Sequence, residues 1–327
     1  LIEDEAISSS QLEGAATTTL VAKDMLKRDR KPRNMDEKMI LGNYKMMNFA
    51  WENRDRELSA ELIEDLHEIG VSGIDDDKYT PGVFRQTDDV VIYNQDDDLV
   101  HTPPLAAAIN ERLNHLCNWV NSCHDDAETK DYLHPLVKAI TLHFSIGYEH
   151  PFRDGNGRVA RALFYWFMFK SGYAALRYIA ISTLLKEAAI QYGESYVHTE
   201  TDEMDLTYFA DHQCKIVTRA VNSFTDTYKK ARDETKEFDE FLWESGLYNQ
   251  LTARQKIVLQ VARSETASDF SIMNAKENLK CAYNTAAATL NGLVNIGLFE
   301  KKKLGREHIY TMKDSKSIQT SWRSREK

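Results

Sequence analysis

Apolar residues recur three and four positions apart over residues 35–51, 58–69 and 106–120, and again over 133–147, 159–169, 182–192 and 206–224. That spacing lays an apolar stripe along one face of a helix, so most of the chain is predicted to be α-helical. Ser59 fits an N-cap with Glu61 in the turn behind it, where a side-chain oxygen and a negative charge both serve unpaired helix amides. One stretch departs from the helical period. Residues 84–93 (FRQTDDVVIY) are rich in β-branched and aromatic side chains and run into a polar turn at 94–98, which predicts a short hairpin ending before Pro103 and Pro104. Internal repeats and low-complexity tracts are absent from the sequence.

The tail repeats the reading on a smaller scale. Residues 252–255 (TARQ) open one helix, 271–279 form a second and 283–296 a third, and 298–311 read as two strands turning at Gly305 and Arg306. Charge separates this tail from the rest. The chain carries a net charge of −10, yet from residue 250 onward 14 Lys or Arg face 7 Asp or Glu, so the body is more acidic than the whole and the tail is basic. A reversal of that size marks two modules, with a linker near residues 244–251. With 327 residues, 42% of them hydrophobic, there is enough chain for two cores. The apolar run 162–169 is far shorter than the roughly 20 residues a membrane span needs. Cys117, Cys123, Cys214 and Cys281 share no CxxC or zinc-finger spacing, which favours free thiols and a cytoplasmic setting. The first residue is Leu1 and not Met, so a removed targeting segment stays open.

The chemistry concentrates where two predicted helices break. After an apolar helix over 136–148, His150 to Gly157 form a turn, and a further helix begins at Arg158. Amides at a helix N-terminus are unpaired and the dipole there is positive, and two glycines flanking Asn156 let a phosphate approach the backbone: an anion cradle. Arg158 and Arg161, three apart on one face, can both turn back to bound phosphates. Asp154 is the loop's carboxylate, suited to Mg²⁺ bound jointly with phosphate oxygens. His150 is the candidate base for an attacking hydroxyl. His67, His115 and His198 show no metal-ligand spacing, and His143, on an apolar helix, reads as a packed core residue in preference to a second base.

HPFRDGNGRVAR, residues 150–161, resembles the Fic family signature H-x-F-x-[D/E]-G-N-G-R-x-x-R at all eight specified positions. The resemblance runs from about residue 8 to 217, with His134-Pro135 and Asp205-Leu206-Thr207 as further landmarks. It implies a protein adenylyltransferase that moves AMP from ATP onto a Ser, Thr or Tyr hydroxyl. In that assignment His150 is the base, Asp154 holds Mg²⁺, Gly155, Asn156 and Gly157 bind the α- and β-phosphates, Arg158 and Arg161 bind the outer phosphates, and Phe152 anchors the loop. Ser9-Ser10-Gln11-Leu12-Glu13-Gly14 is similar to the family's inhibitory pattern, which implies a helix over about 5–15 whose Glu13 pairs with Arg161 in place of the γ-phosphate. The hairpin at about 84–94 becomes a flap whose Val90, Val91 and Ile92 hold a target segment, against the plainer role of core cover. Residues 182–195 depart from the family by offering Glu187-Ala188 and one tyrosine; Tyr192 either stacks on adenine or packs.

The expected architecture is a Fic-type helical bundle with a hairpin flap over residues 1–245 and a small winged helix-turn-helix over 250–315. The third tail helix (YNTAAATLNGLVNI) has no Lys or Arg, and the positive charge sits at Lys301, Lys302, Lys303 and Arg306, so protein docking is favoured over DNA binding. Self-modification and self-association stay open, as do another nucleotide donor, AMP removal, and a transcriptional regulator whose Fic domain senses nucleotide. Gly157 argues against relatives that transfer phosphate, which carry lysine there.

Overall fold

The computed structural model of the protein describes residues 2–323 apart from 77–79, 95, 125, 127, 129, 265–266 and 305–306. It is mainly helical and divides into two compact units, residues 1–225 and 226–327.

The first unit runs α1 (Ile2–Leu12), α2 (Thr19–Lys27), α3 (Met35–Glu52), α4 (Ala60–Val71), a hairpin of β1 (Ile92–Tyr93) and β2 (Leu99–His101), α5 (Ile109–Asn121), α6 (Pro135–Glu149), α7 (Asn156–Lys170), α8 (Ile181–Glu187), α9 (Ala189–Thr201) and the start of α10 (Thr207–Glu244). Its centre is α7, buried on every side from Val159 to Phe169, Arg161 included, where the apolar spacing predicts burial of one face only. Helix α6 packs along it, started by Pro135 behind the cap His134. Ser59 caps α4 by accepting from Leu62 N–H, as the sequence predicts. Helices α3 and α4 approach so closely that a Cβ on Gly42 would stand 2.3 Å from the Gly70 carbonyl oxygen.

Helix α1 is buried over Glu5 to Ser10 and ends earlier than predicted. Gly14, at φ +95, closes it in a Schellman turn: Ala15 N–H donates to Ser10 O (3.0 Å) and Gly14 N–H to Gln11 O (3.1 Å). The glycine of the inhibitory pattern thus has a local purpose, and Glu13 is the last residue before the chain turns. The hairpin also differs from expectation. Its strands are 92–93 and 99–101, with irregular register, so Val90 and Val91 precede the ladder and the second arm lies beyond the predicted flap. Residues 84–91 are held by the side chain of Arg85, which bonds backbone carbonyls, in place of strand pairing. The helical spacing of 182–192 covers two helices, broken at Ala188 (φ −122, ψ 40).

The second unit holds the end of α10, α11 (Leu247–Gln250), α12 (Ala253–Arg263), β3 (Asp269–Phe270), α13 (Ile272–Asn278), α14 (Tyr283–Ile296), β4 (Phe299–Leu304), β5 (Glu307–Met312) and α15 (Ser315–Arg323). Thr252 and Gln255 close a capping box on α12. The sheet is antiparallel in the order β3-β5-β4 and covers Phe270, Leu290, Leu293, Phe299 and Tyr310. The predicted tail helices and the two long strands stand where expected; β3 and α15 were not anticipated. The turn predicted at Gly305 and Arg306 lies outside the described residues. The two units part between Thr225 and Asp226, inside α10 and ahead of the 245–250 boundary drawn from charge, because Phe238 and Leu242 already belong to the second core. Among the described residues no helix is long and apolar enough to cross a membrane.

Candidate active site

The loop between α6 and α7 is shaped by its own residues. His150 ends α6 in the left-handed region (φ 46, ψ 58), and Gly155 opens α7 at φ 85, a conformation that suits glycine. Asn156 locks the loop across its width: Phe152 N–H donates to Asn156 Oδ1 (2.9 Å) and Asn156 Nδ2 donates back to Phe152 O (2.8 Å). Its side chain is therefore committed to the loop, which leaves its backbone amide, at the head of α7, for any other partner. Phe152 is fully buried and stacks on His67 at 3.7 Å.

His67, set aside in the sequence, is part of this scaffold. Its Nδ1 accepts from Gly82 N–H (3.1 Å) and its Nε2 donates to Asp154 O (3.0 Å), and burial pushes its pKa down to about 4. Arg85 is the second unforeseen support. Its buried guanidinium donates to His150 O (2.9 Å) and to Pro104 O, which holds His150 in its left-handed conformation.

His150 Nδ1 donates to Gly147 O (2.7 Å), which leaves Nε2 as the nitrogen that can accept a proton. Burial, against the pull of that hydrogen bond, lowers its pKa, so the ring is neutral near pH 7. His150 lines a cavity of about 380 Å³ together with Glu13, Val90, Val91, Ile92, His101, Asp154, Gly155, Asn156, Gly157, Arg161, Tyr192, Tyr196 and Glu200, among others. A larger groove of about 740 Å³, beside Glu187, His212 and Arg219, contains none of the motif residues.

Glu13 reaches into the head of α7. Its Oε1 accepts from Arg161 Nη2 (2.6 Å), while Arg161 Nε donates to Ser9 Oγ (2.8 Å) and Nη2 to Ser9 O (3.2 Å). Burial pushes the Glu13 carboxyl up, but the charge and hydrogen bond of Arg161 outweigh it and hold the pKa below the ordinary glutamate value. A Cβ on Gly157 would lie 2.2 Å from Glu13 Oε1, so the carboxylate rests directly on the glycine face of the loop. A carboxylate of the chain itself thus lies against the loop that the sequence predicts to receive an anion.

The other predicted residues divide. Asp154 is in the cavity wall, its Oδ1 accepting from Gly155 N–H (2.5 Å). Arg158 is set back from the cavity, buried, with Nη1 donating to Gly70 O (3.2 Å). Tyr192 lines the cavity and its hydroxyl meets His143 Nε2 (2.8 Å); burial pushes His143 down to about 3, so it is a neutral packed residue, as read from the sequence. Tyr196, not foreseen, stands on Gly147, where a Cβ would be 2.4 Å from the tyrosine oxygen. A glycine in a helix interior is the one signal that could have announced that approach. Val90, Val91 and Ile92 do reach the cavity, and Asp89 on their side pairs with Arg153 of the loop (2.8 Å). Among the described residues no cluster of three or more His, Cys, Asp or Glu could hold a metal by itself.

Residues 57–168 match the profile of the Fic/DOC family, and this part of the chain is a Fic domain. The protein adenylyltransferase Fic of Nematostella vectensis is 33% identical over 73 residues, which are 22% of this chain and 16% of that relative, so the match spans about a sixth of the relative's length. A Fic family protein from Desulfovibrio desulfuricans has a similar structure, with a TM-score of 0.60, 17% identity and coverage of 95% of this chain and 86% of its own. A Fic domain containing signaling protein from Bacteroides thetaiotaomicron aligns at a TM-score of 0.56 and 18% identity over 69% of this chain and 87% of its own. At these identities the structural likeness speaks for the fold.

Proposed function

We propose that the protein transfers AMP from ATP to a hydroxyl of a protein side chain and that Glu13 holds this activity down. The observation that carries the reading is the Glu13 carboxylate lying on Gly157 and bonded to Arg161, an anion in the seat that a phosphate of the donor would take. In the reaction the substrate oxygen attacks the α-phosphorus, its bond to the pyrophosphate oxygen breaks, and His150 Nε2 takes the hydroxyl proton. The neutral state and the free Nε2 of His150 suit that task. Backbone amides at the head of α7 and the Arg161 guanidinium meet the negative charge that builds on the phosphates. Mg²⁺ binds by one or two carboxylates together with phosphate oxygens, so Asp154, the carboxylate of the loop, fits it; when bound, the ion would neutralise polyphosphate charge.

While Arg161 is held by Glu13 it cannot hold a terminal phosphate, and a misplaced donor leaves the α-phosphorus out of line for attack. Tyr192 and Tyr196 offer aromatic faces for the base. The flap valines and Ile92 would take a target segment along the exposed edge of the hairpin. We read the second unit as a winged helix-turn-helix module that docks a protein: α14 carries no Lys or Arg, and Lys301, Lys302 and Lys303 lie on β4.

The test is transfer of label from α-labelled ATP to proteins of a lysate, with mass spectrometry of the labelled peptides, using wild type, Glu13→Gly and Glu13→Gly with His150→Ala. We expect label with Glu13→Gly and its loss by about 10²- to 10⁴-fold when His150 is removed. Undiminished label without His150 would refute the assignment, and label from GTP or UTP in preference would move the donor.

A further inference from the structure

His101, on β2, and Glu200, on α9, meet in the wall of the cavity that His150 also lines. His101 Nδ1 lies 2.7 Å from Glu200 Oε2 and its Nε2 lies 2.8 Å from the main-chain oxygen of Tyr148, two residues before His150. A carbonyl oxygen accepts and cannot donate, so Nε2 carries a proton; an ionised carboxylate also accepts, so Nδ1 carries another. With Glu200 ionised, both ring nitrogens donate and the contacts are those of a charged pair. Both side chains are mostly shielded, at 9% and 19% exposure, so the charges interact with little screening by water. The rings of His101 and His150 are 6.3 Å apart.

We infer that His101 and Glu200 form a charged pair, and that His101 is thereby a positioning residue that keeps His150 free of a proton and pins the second strand of the flap to the end of α6. The inference rests on the transfer reading for the role of His150, while the charge state of His101 stands apart from it. A cation 6.3 Å away disfavours a second cation, and the positive charge of His101 adds to the effect of burial in lowering the proton affinity of His150. Glu13 acts in the opposite direction and Arg85 in the same one. The remaining charged groups on the cavity wall are Arg153, Asp154 and Arg161, and Tyr148 packs against His101 at 5.2 Å.

The consequence is a pH dependence with a definite sign. Transfer needs neutral His150, so its rate falls as pH drops through the depressed pKa of that residue. Removing the neighbouring positive charge raises that pKa and moves the acid limb to higher pH. In the Glu13→Gly background, Glu200→Gln offers an amide where the carboxylate was, which lets His101 become neutral while both contacts remain. The acid limb is expected to rise by on the order of half a pH unit, and by about one unit with His101→Gln, which leaves Glu200 charged and unpaired. At alkaline pH kcat should stay within a few-fold of the parent. A flap that has merely loosened would raise KM for the target and leave the acid limb in place, and an acid limb superimposable on the parent's in both variants overturns the inference.

A second measurement does not depend on transfer or on any variant. In ¹⁵N-detected histidine spectra of the wild-type protein at pH 7, His101 should show two protonated ring nitrogens, and His150 the signals of a neutral ring. A neutral His101, with the shared proton on Glu200, defeats the proposal. If the parent transfers no label at all, the transfer reading fails, and titration of His150 in the same spectra with and without Glu200→Gln still decides whether the pair sets its proton affinity.

Discussion

Two walls of the one cavity are built in opposite ways. The wall made by Glu13 is carried by α1, which is buried along Glu5 to Ser10 and fastened by polar groups at several depths. Glu5 accepts from Tyr165 OH (2.9 Å), Ser182 N–H (2.9 Å) and Ser182 Oγ; Ser8 meets Thr183 (2.9 Å); Asn43 donates to Ala6 O (2.9 Å). The flap wall has strands of two and three residues, and Tyr93 and Leu99 are exposed. It is tied down at a few points: Arg85 to the end of α6, Asp89 to Arg153, and His101 to Glu200.

The difference bears on how each wall can change. A helix sealed by buried hydrogen bonds cannot leave cheaply, since each lost partner would strand a buried polar group. What can move in the α1 wall is the side chain of Glu13, which sits past the last turn of the helix and is 31% exposed. A carboxylate at a helix C-terminus is also disfavoured by the dipole, so Glu13 is held there by Arg161 and not by its own helix. The flap can adapt along its length, which suits a surface that must accept another chain.

The sharpest way to break the comparison is Glu13→Gly. Transfer should rise by about 10²-fold, because the misalignment imposed on the donor is lifted while α1 stays docked. Adding Arg161→Ala should cancel the gain, and Glu13→Asp should release it in part, since the shorter side chain reaches less far. Gly157→Ala makes the companion case: its methyl group would displace Glu13, with 2.2 Å between them, yet it would fill the face of the cradle that a phosphate needs. It should therefore stay inactive. A gain equal to that of Glu13→Gly would mean that Gly157 is not part of the phosphate seat.

A smaller effect should come from the anchor of α1. Glu5→Gln keeps the shape but cannot accept from all three donors, so we expect a loss of about 1–3 kcal/mol in urea unfolding and faster amide exchange in α1. Transfer should rise little, because Glu13 still reaches Arg161. Full activation by Glu5→Gln would show that release of the helix, and not of one side chain, governs the site. The smallest effect is expected on the flap. Asp89 is exposed, so Asp89→Asn should leave the unfolding curve unchanged and raise KM for the protein target by about two- to threefold through a looser hairpin. A marked loss of stability would contradict the picture of a lightly tied wall.

Some of this was legible before any coordinates. The helices over 35–51, 58–69 and 283–296 follow from apolar period and caps, because both act within a turn or two of chain. The hairpin was placed a few residues early, since β-branched composition at 84–93 does not reveal that Arg85 draws the backbone into side-chain bonds. Spacing and resemblance both point Arg158 at phosphate; the contact of its Nη1 with Gly70 O of α4 is one that neither reveals.

The sequence by itself determined the loop of residues 150–157. Its glycine at φ 85, its asparagine bridging Phe152 and the helix that follows are contacts over four residues or fewer, and short-range contacts are written in short patterns. Tertiary structure decided which groups that loop meets. Arg161 and Glu13, a pair that only the resemblance to the inhibitory pattern leads one to expect, are 148 positions apart, His101 and Glu200 are 99 apart, and Arg85 and His150 are 65 apart. No period or local pattern connects such pairs, because what joins them is the packing of α1, the flap and α9 around α6 and α7, and that packing sets the desolvation and the charges on which His150 depends.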